Sequence, residues 1–165
     1  MSYSKLHLSG KERKELITRA SKLIENPADF LPRKAPLLRF SFSKRESLIV
    51  LNKDDVIFID INNYLIPNLK MARKMNLIVP KIVVDLGAIK FVTNGADIMR
   101  PGITEISDDV LEGDLVVIVE ERKGSPLSFG KAMYDAVDMK QMSSGKCIKN
   151  IHWLKDKWFQ FTLDK

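Results

Sequence analysis

Side chains able to do covalent or metal chemistry are scarce in this sequence of 165 residues. His7 and His152 are the only histidines and Cys147 the only cysteine, too few ligands for a Cys/His zinc site. Neither a G-x-S-x-G nucleophile elbow nor a G-x-x-x-x-G-K-S/T phosphate loop occurs. Asp60 stands alone in an apolar run, where a strand-end carboxylate is the ordinary explanation. No metal, no cofactor and no catalysis are therefore expected. What remains is chemistry of recognition: cations for phosphate, aromatic rings for bases, and bare backbone for close approach.

The cations are unevenly spread. The chain carries 27 Lys and Arg against 21 Asp and Glu, a net charge of +6 and a pI of about 9.4. Up to Leu77 there are 15 basic and 8 acidic residues, net +7; from Ile78 onward there are 12 and 13, net −1. Non-specific phosphate affinity follows the number of basic contacts. RNA binding would thus need a local patch in the second half or electrostatic help from the first. A +7 charge spread around a surface also serves solubility alone. Lys11, Lys14, Arg19 and Lys22, with Arg13, lie on the polar side of one expected helix, as a basic ridge or as a solvated face. Arg33, Lys34, Arg39, Lys44 and Arg45 are candidates to extend it. Trp153, Trp158 and Phe159 are placed either to stack bases or to fill a core.

Elements must position these groups. Ser9-Gly10-Lys11-Glu12 has the form of a capping box and predicts a helix from Gly10 or Lys11, with Leu16, Ala20, Leu23 and Ile24 on one face and Asn26-Pro27 closing it. Short strands are expected over 37–42, 48–51 and 56–61, a strand edge at 64–67 and a helical turn over 69–75. A domain boundary is placed near 76–80, dividing a basic domain of residues 1–77 from one of residues 78–165. In the second, 115–119 reads as a strand buried on both faces, 127–137 as a strand with a bulge at Gly130, 139–144 as a helical turn, and 152–161 as a terminal hairpin. No run approaches the ~20 apolar residues of a membrane span. Residues 1–5 lack the apolar core of a signal peptide, and one cysteine fits a reducing compartment, so a soluble cytoplasmic protein is expected. The fold class is α+β, an N-terminal α/β domain followed by a small barrel.

The stretch 83–102 organises the second half. A β-branched run ends at Asp85, suited to cap a helix starting at Leu86. Leu86, Ile89 and Val92 recur at helical spacing, Asn94-Gly95 stops the helix, 96–99 is extended, and Pro101-Gly102 turns the chain. This segment resembles the opening of a PUA domain, the RNA-binding module of pseudouridine synthases and archaeosine transglycosylases. Asp85-Leu86-Gly87-Ala88-Ile89-Lys90-Phe91-Val92, Gly95-Ala96-Asp97-Ile98-Met99-Arg100-Pro101-Gly102 and Asn150-Ile151-His152-Trp153-Leu154 resemble the malignant-T-cell-amplified-sequence family, archaeal relatives included, which is similar to the N-terminal part of ligatin, or eukaryotic initiation factor 2D. The PUA resemblance covers roughly residues 78 to 163 and implies a pseudo-barrel. It also implies a non-catalytic protein of translation initiation, re-initiation or recycling that binds tRNA or ribosomal RNA near the decoding site of the small ribosomal subunit. Ala88, Lys90, Phe91, Asn94, Gly95 and Ala96 would face RNA, and Arg100 would offer a guanidinium. In eukaryotes the resemblance also implies a density-regulated protein partner. Two other classes stay open: a protein-interaction module, and an accessory subunit of an RNA-modifying enzyme, although the glycine-arginine-x-aspartate signature of pseudouridine synthases is absent.

Overall fold

In a computed structural model, residues 2–163 are described. The chain divides into two compact units, one running to Ile78 and the other spanning Val79–Phe161. Among the described residues, no helix is long and apolar enough to cross a membrane.

The first unit is a five-stranded antiparallel meander with one helix on a face. Strands β1 (Ser4–His7), β2 (Leu37–Ser41), β3 (Glu46–Leu51), β4 (Asp55–Ile61) and β5 (Tyr64–Pro67) pair in chain order. Helix α1 (Gly10–Ala20) begins at the capping box. Ser9 Oγ accepts from the Glu12 amide at 3.2 Å, and the Glu12 carboxylate accepts from the Ser9 amide at 3.3 Å. Leu16, Ala20 and Ile24 then pack on Leu37, Ile49 and Ile57 of the sheet. The turn between β4 and β5 holds two residues, Asn62 and Asn63, both at positive φ (50° and 67°), as a tight right-twisting hairpin requires. A short helix α2 (Leu69–Ala72) comes next, capped by the Asn68 side chain on the Lys70 amide.

Two features of this unit differ from the sequence pattern. The helix stops at Ala20, well before Asn26-Pro27. The next residues tighten to i→i+3 bonds, and Ile24 is drawn into a bridge with Leu77, flanked by bonds from the Glu25 amide to Asn76 O and from the Ile78 amide to Leu23 O. A distant partner captures a segment that could otherwise have stayed helical. Strand β1 is absent from the sequence pattern, because all four of its residues are exposed and leave no burial periodicity; it is an edge strand joined to β2 by its backbone ladder, with the Lys5 ammonium 5.0 Å from the centre of the Phe40 ring.

The second unit is a six-stranded sheet with order β7-β11-β10-β9-β6-β8, formed by β6 (Lys81–Val84), β7 (Ile98–Met99), β8 (Ile103–Ile106), β9 (Leu115–Glu120), β10 (Pro126–Ala132) and β11 (Lys146–Trp153). All pairs are antiparallel except β6 with β9. The end strands, β7 and β8, are joined only by the one-turn 3₁₀ segment Arg100–Gly102. Four residue steps from Met99 to Ile103 span at most ~14 Å. Six flat strands would hold their edges ~24 Å apart. The sheet therefore curls into a nearly closed pseudo-barrel, the PUA architecture. Its interior holds Ile82, Val84, Val92, Val116, Ile118 and Ile148, with Ala136 and Met139 from helix α4 (Ala136–Gln141).

Helix α4 replaces the end of the strand expected over 127–137, because Ala136 and Met139, three apart, serve the barrel core from one face of a turn. The bulge at Gly130 is present. A Cβ there would meet Ile148 Cγ2 at 2.5 Å and Lys149 O at 2.7 Å, so only glycine lets β10 and β11 approach. The terminal hairpin does not form. Instead β11 runs eight residues, and the chain beyond Trp153 coils around Asp156. Cys147 is buried in the barrel core, as a small apolar side chain would be, and burial pushes its thiol pKa up.

Ser9→Ala removes one half of the capping box while leaving the core intact. It should lower stability by about 1 kcal/mol, read as a shift of the urea midpoint with an unchanged slope.

Candidate nucleic-acid interface

Residues 85–102 line an open groove of about 540 Å³. Asp85 starts it, ending β6 and accepting the Ala88 amide on Oδ1 at 2.9 Å, which winds a 3₁₀ turn (Leu86–Ala88) into the one-turn helix α3 (Ile89–Val92). Val92 points into the barrel, so Phe91 faces out. Gly95 takes φ +88° and bends the chain back, its amide bonded to Val92 O and the Ala96 amide to Phe91 O. The groove is lined by Ala88, Phe91, Ala96, Met99 and Pro101 among others, and its walls are mostly apolar, with the carboxylates of Asp85 and Asp97 in the lining. Phe91 is 57% exposed, Met99 45% and Leu86 43%, a concentration of large apolar side chains in water that core packing does not explain. The ammonium of Lys90 stands 5.0 Å from the centre of the Phe91 ring.

The expected RNA-facing residues separate into three groups. Ala88, Phe91 and Ala96 line the groove. Lys90 and Asn94 are exposed on the same turn of chain beside it. Gly95 has a structural reason for its type: a Cβ there would lie 2.6 Å from the Trp153 ring, which packs against this bend. Arg100 is elsewhere. Its Nε donates to Met139 O at 2.8 Å and its Nη1 to Ile103 O at 3.1 Å, across the closure of the barrel, and it lines a separate polar pocket with Asp108 and Lys140. Of the basic helix, Lys11, Lys14 and Lys22 are exposed, whereas Arg19 is bound to Asp60. Arg13 donates to the carbonyls of Pro32, Arg33 and Ala35, pinning the loop before β2.

Sequence reasoning passes over the residues that hold the groove in shape. Asn150 Nδ2 donates to Val92 O and Ala96 O, both at 3.0 Å, tying β11 to the bend around Gly95. Asp97 accepts the Asn150 amide at 3.0 Å and lies 3.3 Å from the Lys146 ammonium. Behind them His152 is fully buried, its Nδ1–H donating to Asp156 Oδ2 at 2.7 Å. Asp156 also accepts the amides of Trp153 and Phe159. Burial alone would raise the Asp156 pKa, but the hydrogen bonds and charge at His152, with those amides, hold it below the usual carboxylate value. Asn150, His152 and Trp153 thus act as the mount of the groove. The late motif that contains them is visible in the sequence, but its role is not.

Pseudo-barrel and groove together define a PUA-domain protein, and the PUA domain family model matches residues 80–154. Translation machinery-associated protein 20 of Eremothecium gossypii is 32% identical over 92% of this chain and 86% of its own length. Malignant T-cell-amplified sequence 1 of Danio rerio is 33% identical over 76% of this chain and 71% of its own. A crystal structure of a protein from the archaeon Pyrococcus horikoshii OT3 superposes with a TM-score of 0.81 at 32% identity, covering 97% of this chain and all of that one. The chain belongs to the family of translation machinery-associated protein 20 and malignant T-cell-amplified sequence 1.

Gly95→Val should destabilise the second unit by about 2 to 4 kcal/mol, through positive φ and overpacking on Trp153, measured by chemical denaturation. Asp156 tests the mount differently. Its carboxyl pKa is depressed in the folded state, so its stabilisation is fully present above the unfolded value near ~4 and is lost as pH falls through the folded value. Asp156→Asn should cost about 2 kcal/mol at neutral pH, with the gap from the parent protein closing as acid titrations pass below pH ~4.

Proposed function

We propose that this protein is a non-catalytic RNA-binding adaptor of translation in the cytoplasm, and that the groove beside α3 receives a single-stranded end or loop of tRNA or ribosomal RNA. The observation that carries this reading is the exposed Phe91, under the Lys90 ammonium, at the mouth of an apolar groove in a unit of almost no net charge. An aromatic face beside a cation suits an unstacked base next to its phosphate. A duplex would demand a row of cations that the groove lacks. The small residues Ala88 and Ala96 leave the backbone open to a ribose. Membership in a family with translation-associated relatives supports the setting, at the small ribosomal subunit in initiation, re-initiation or recycling.

Phe91→Ala should weaken binding to a tRNA by about 5- to 100-fold, the range of one lost base–aromatic stack. Lys90→Glu should weaken it further by repulsion. Both residues are exposed, so circular dichroism should stay native. Fluorescence anisotropy with labelled tRNA reads the affinity, and nucleoside mass spectrometry after incubation should find no new modification. Unchanged affinity in both variants overturns the groove as the site, and a modified nucleoside overturns the adaptor reading.

A further inference from the structure

A second pocket lies in the first unit, on the side of the sheet that α1 covers. Beyond the end of the apolar packing, β2, β3 and β4 present a polar row, for Ser41 pairs with Ser47 and Ser47 with Asp60. Arg19 from the last turn of α1 grips Asp60 with both guanidinium nitrogens, at 2.7 and 3.3 Å. Arg39 Nη1 donates to Ser47 Oγ at 2.9 Å and stands 3.6 Å from Asp60 Oδ2. The turn between β2 and β3 adds Lys44 and Arg45, whose exposed side chains have no partner among the described residues. Arg39, Ser41, Lys44, Arg45, Ser47 and Asp60, among others, line a space of about 160 Å³.

We propose that this pocket is a binding site for a phosphoryl oxyanion, held by Arg39, Lys44 and Arg45 with the hydroxyls of Ser41, Ser43 and Ser47. Charge decides the sign of the ligand. Arg39, Lys44 and Arg45 outnumber Asp60 and Glu46 in the lining, and Asp60 is already committed to Arg19. Geometry decides its kind. Ser47 Oγ accepts from Arg39 and Ser43 Oγ accepts from the Arg45 amide, so each hydroxyl keeps its own proton to donate. Several donors spread around one small volume match a tetrahedral phosphoryl group, whose free oxygens (two in a backbone diester, more in free phosphate) do not lie in one plane with a carbon, better than a planar carboxylate. The volume is well below the ~300 Å³ at which sites for whole small molecules begin, so a single phosphoryl group fits and a nucleoside does not. Asp60 acts as a positioning residue, holding two guanidinium groups in place before any ligand arrives. The phosphoryl group comes either from an RNA backbone or from free phosphate. The pocket belongs to the first unit and the groove to the second, and the proposal does not depend on the groove.

The test uses the full chain, labelled with ¹⁵N, titrated with inorganic phosphate against chloride at matched ionic strength. The amides of residues 41–47 and 60–63 should shift and saturate with phosphate and not with chloride. Lys44→Gln combined with Arg45→Gln, at exposed positions, should weaken this at least 10-fold with no change in thermal unfolding. A single-stranded RNA without terminal phosphate separates the sources. If it moves the same amides and phosphate competes, the backbone supplies the group, and the double variant should lower the salt slope of RNA affinity by roughly 1.4. If phosphate alone moves them, free phosphate is the ligand. Phe91→Ala should leave all of these shifts in place, so failure of the groove is read separately. Absence of saturable shifts with both phosphate and RNA overturns the proposal. An equal response to polyglutamate at equal charge also overturns it, because the pocket would then attract any acidic chain.

Discussion

The second unit depends on how little chain joins its two outermost strands. Arg100–Gly102 must carry the backbone from β7 to β8 in a single turn, and that shortness forces the sheet to curl. Arg100 is the residue best placed to hold the joint. Its amide bonds Gly145 O while its guanidinium reaches Met139 O and Ile103 O, so one residue links the joint to α4, to the segment after it and to the start of β8. Asp85 completes the arrangement from the other side, its amide bonding Gly102 O. The groove adjoins this closure, since its lining residues run up to and through the joint, and Asn150 of β11 ties their bend to the sheet.

Exposure and rigidity therefore fall to different residues of the same motif. Phe91, Lys90 and Asn94 stand exposed while Asn150, Trp153 and Asp97 hold the bend beside them. Asn150 is the clearest case: its two amide protons go to carbonyls of the α3–β7 segment, which fixes a loop by side chain where no ladder could reach. The first unit shows the same division. Arg13 and Arg19, counted among the cations of a basic helix, have their charge occupied by carbonyls and by Asp60, while Lys11 and Lys14 of that helix, and Lys22 just past its end, stay in water.

Much of this is legible in the sequence, and the limits have physical causes. Periodicity locates β2 to β5 and β9, because their side chains are buried in patterns that hydrophobicity records. The capping box marks the start of α1, since both of its bonds are local. The end of α1 is not legible, being set by Leu77 more than fifty residues away. Strand β1 is silent because edge pairing uses backbone groups common to all residues. Ala136 reads equally as strand or helix until Met139 is known to share its core. The residues of the groove are indicated by the motif, but the motif cannot separate Phe91, which faces water, from Arg100, which braces the barrel. That separation depends on which carbonyls lie within reach.

The two sheets also differ in how far apart in the chain their pairings lie. In the meander every strand after β1 pairs with its immediate successor, and the loops from β3 to β5 hold two or three residues. In the barrel, Lys81 waits for Val117 and Ile98 for Ile148. Loop closure over such separations is slow, and contact order governs folding rate. On a ribosome adding ~5–20 residues per second, the meander can complete itself once α2 has emerged. The barrel cannot close until β11 is out. The protein is thus built in the order of its contact lengths, with the half that bears the groove assembled last.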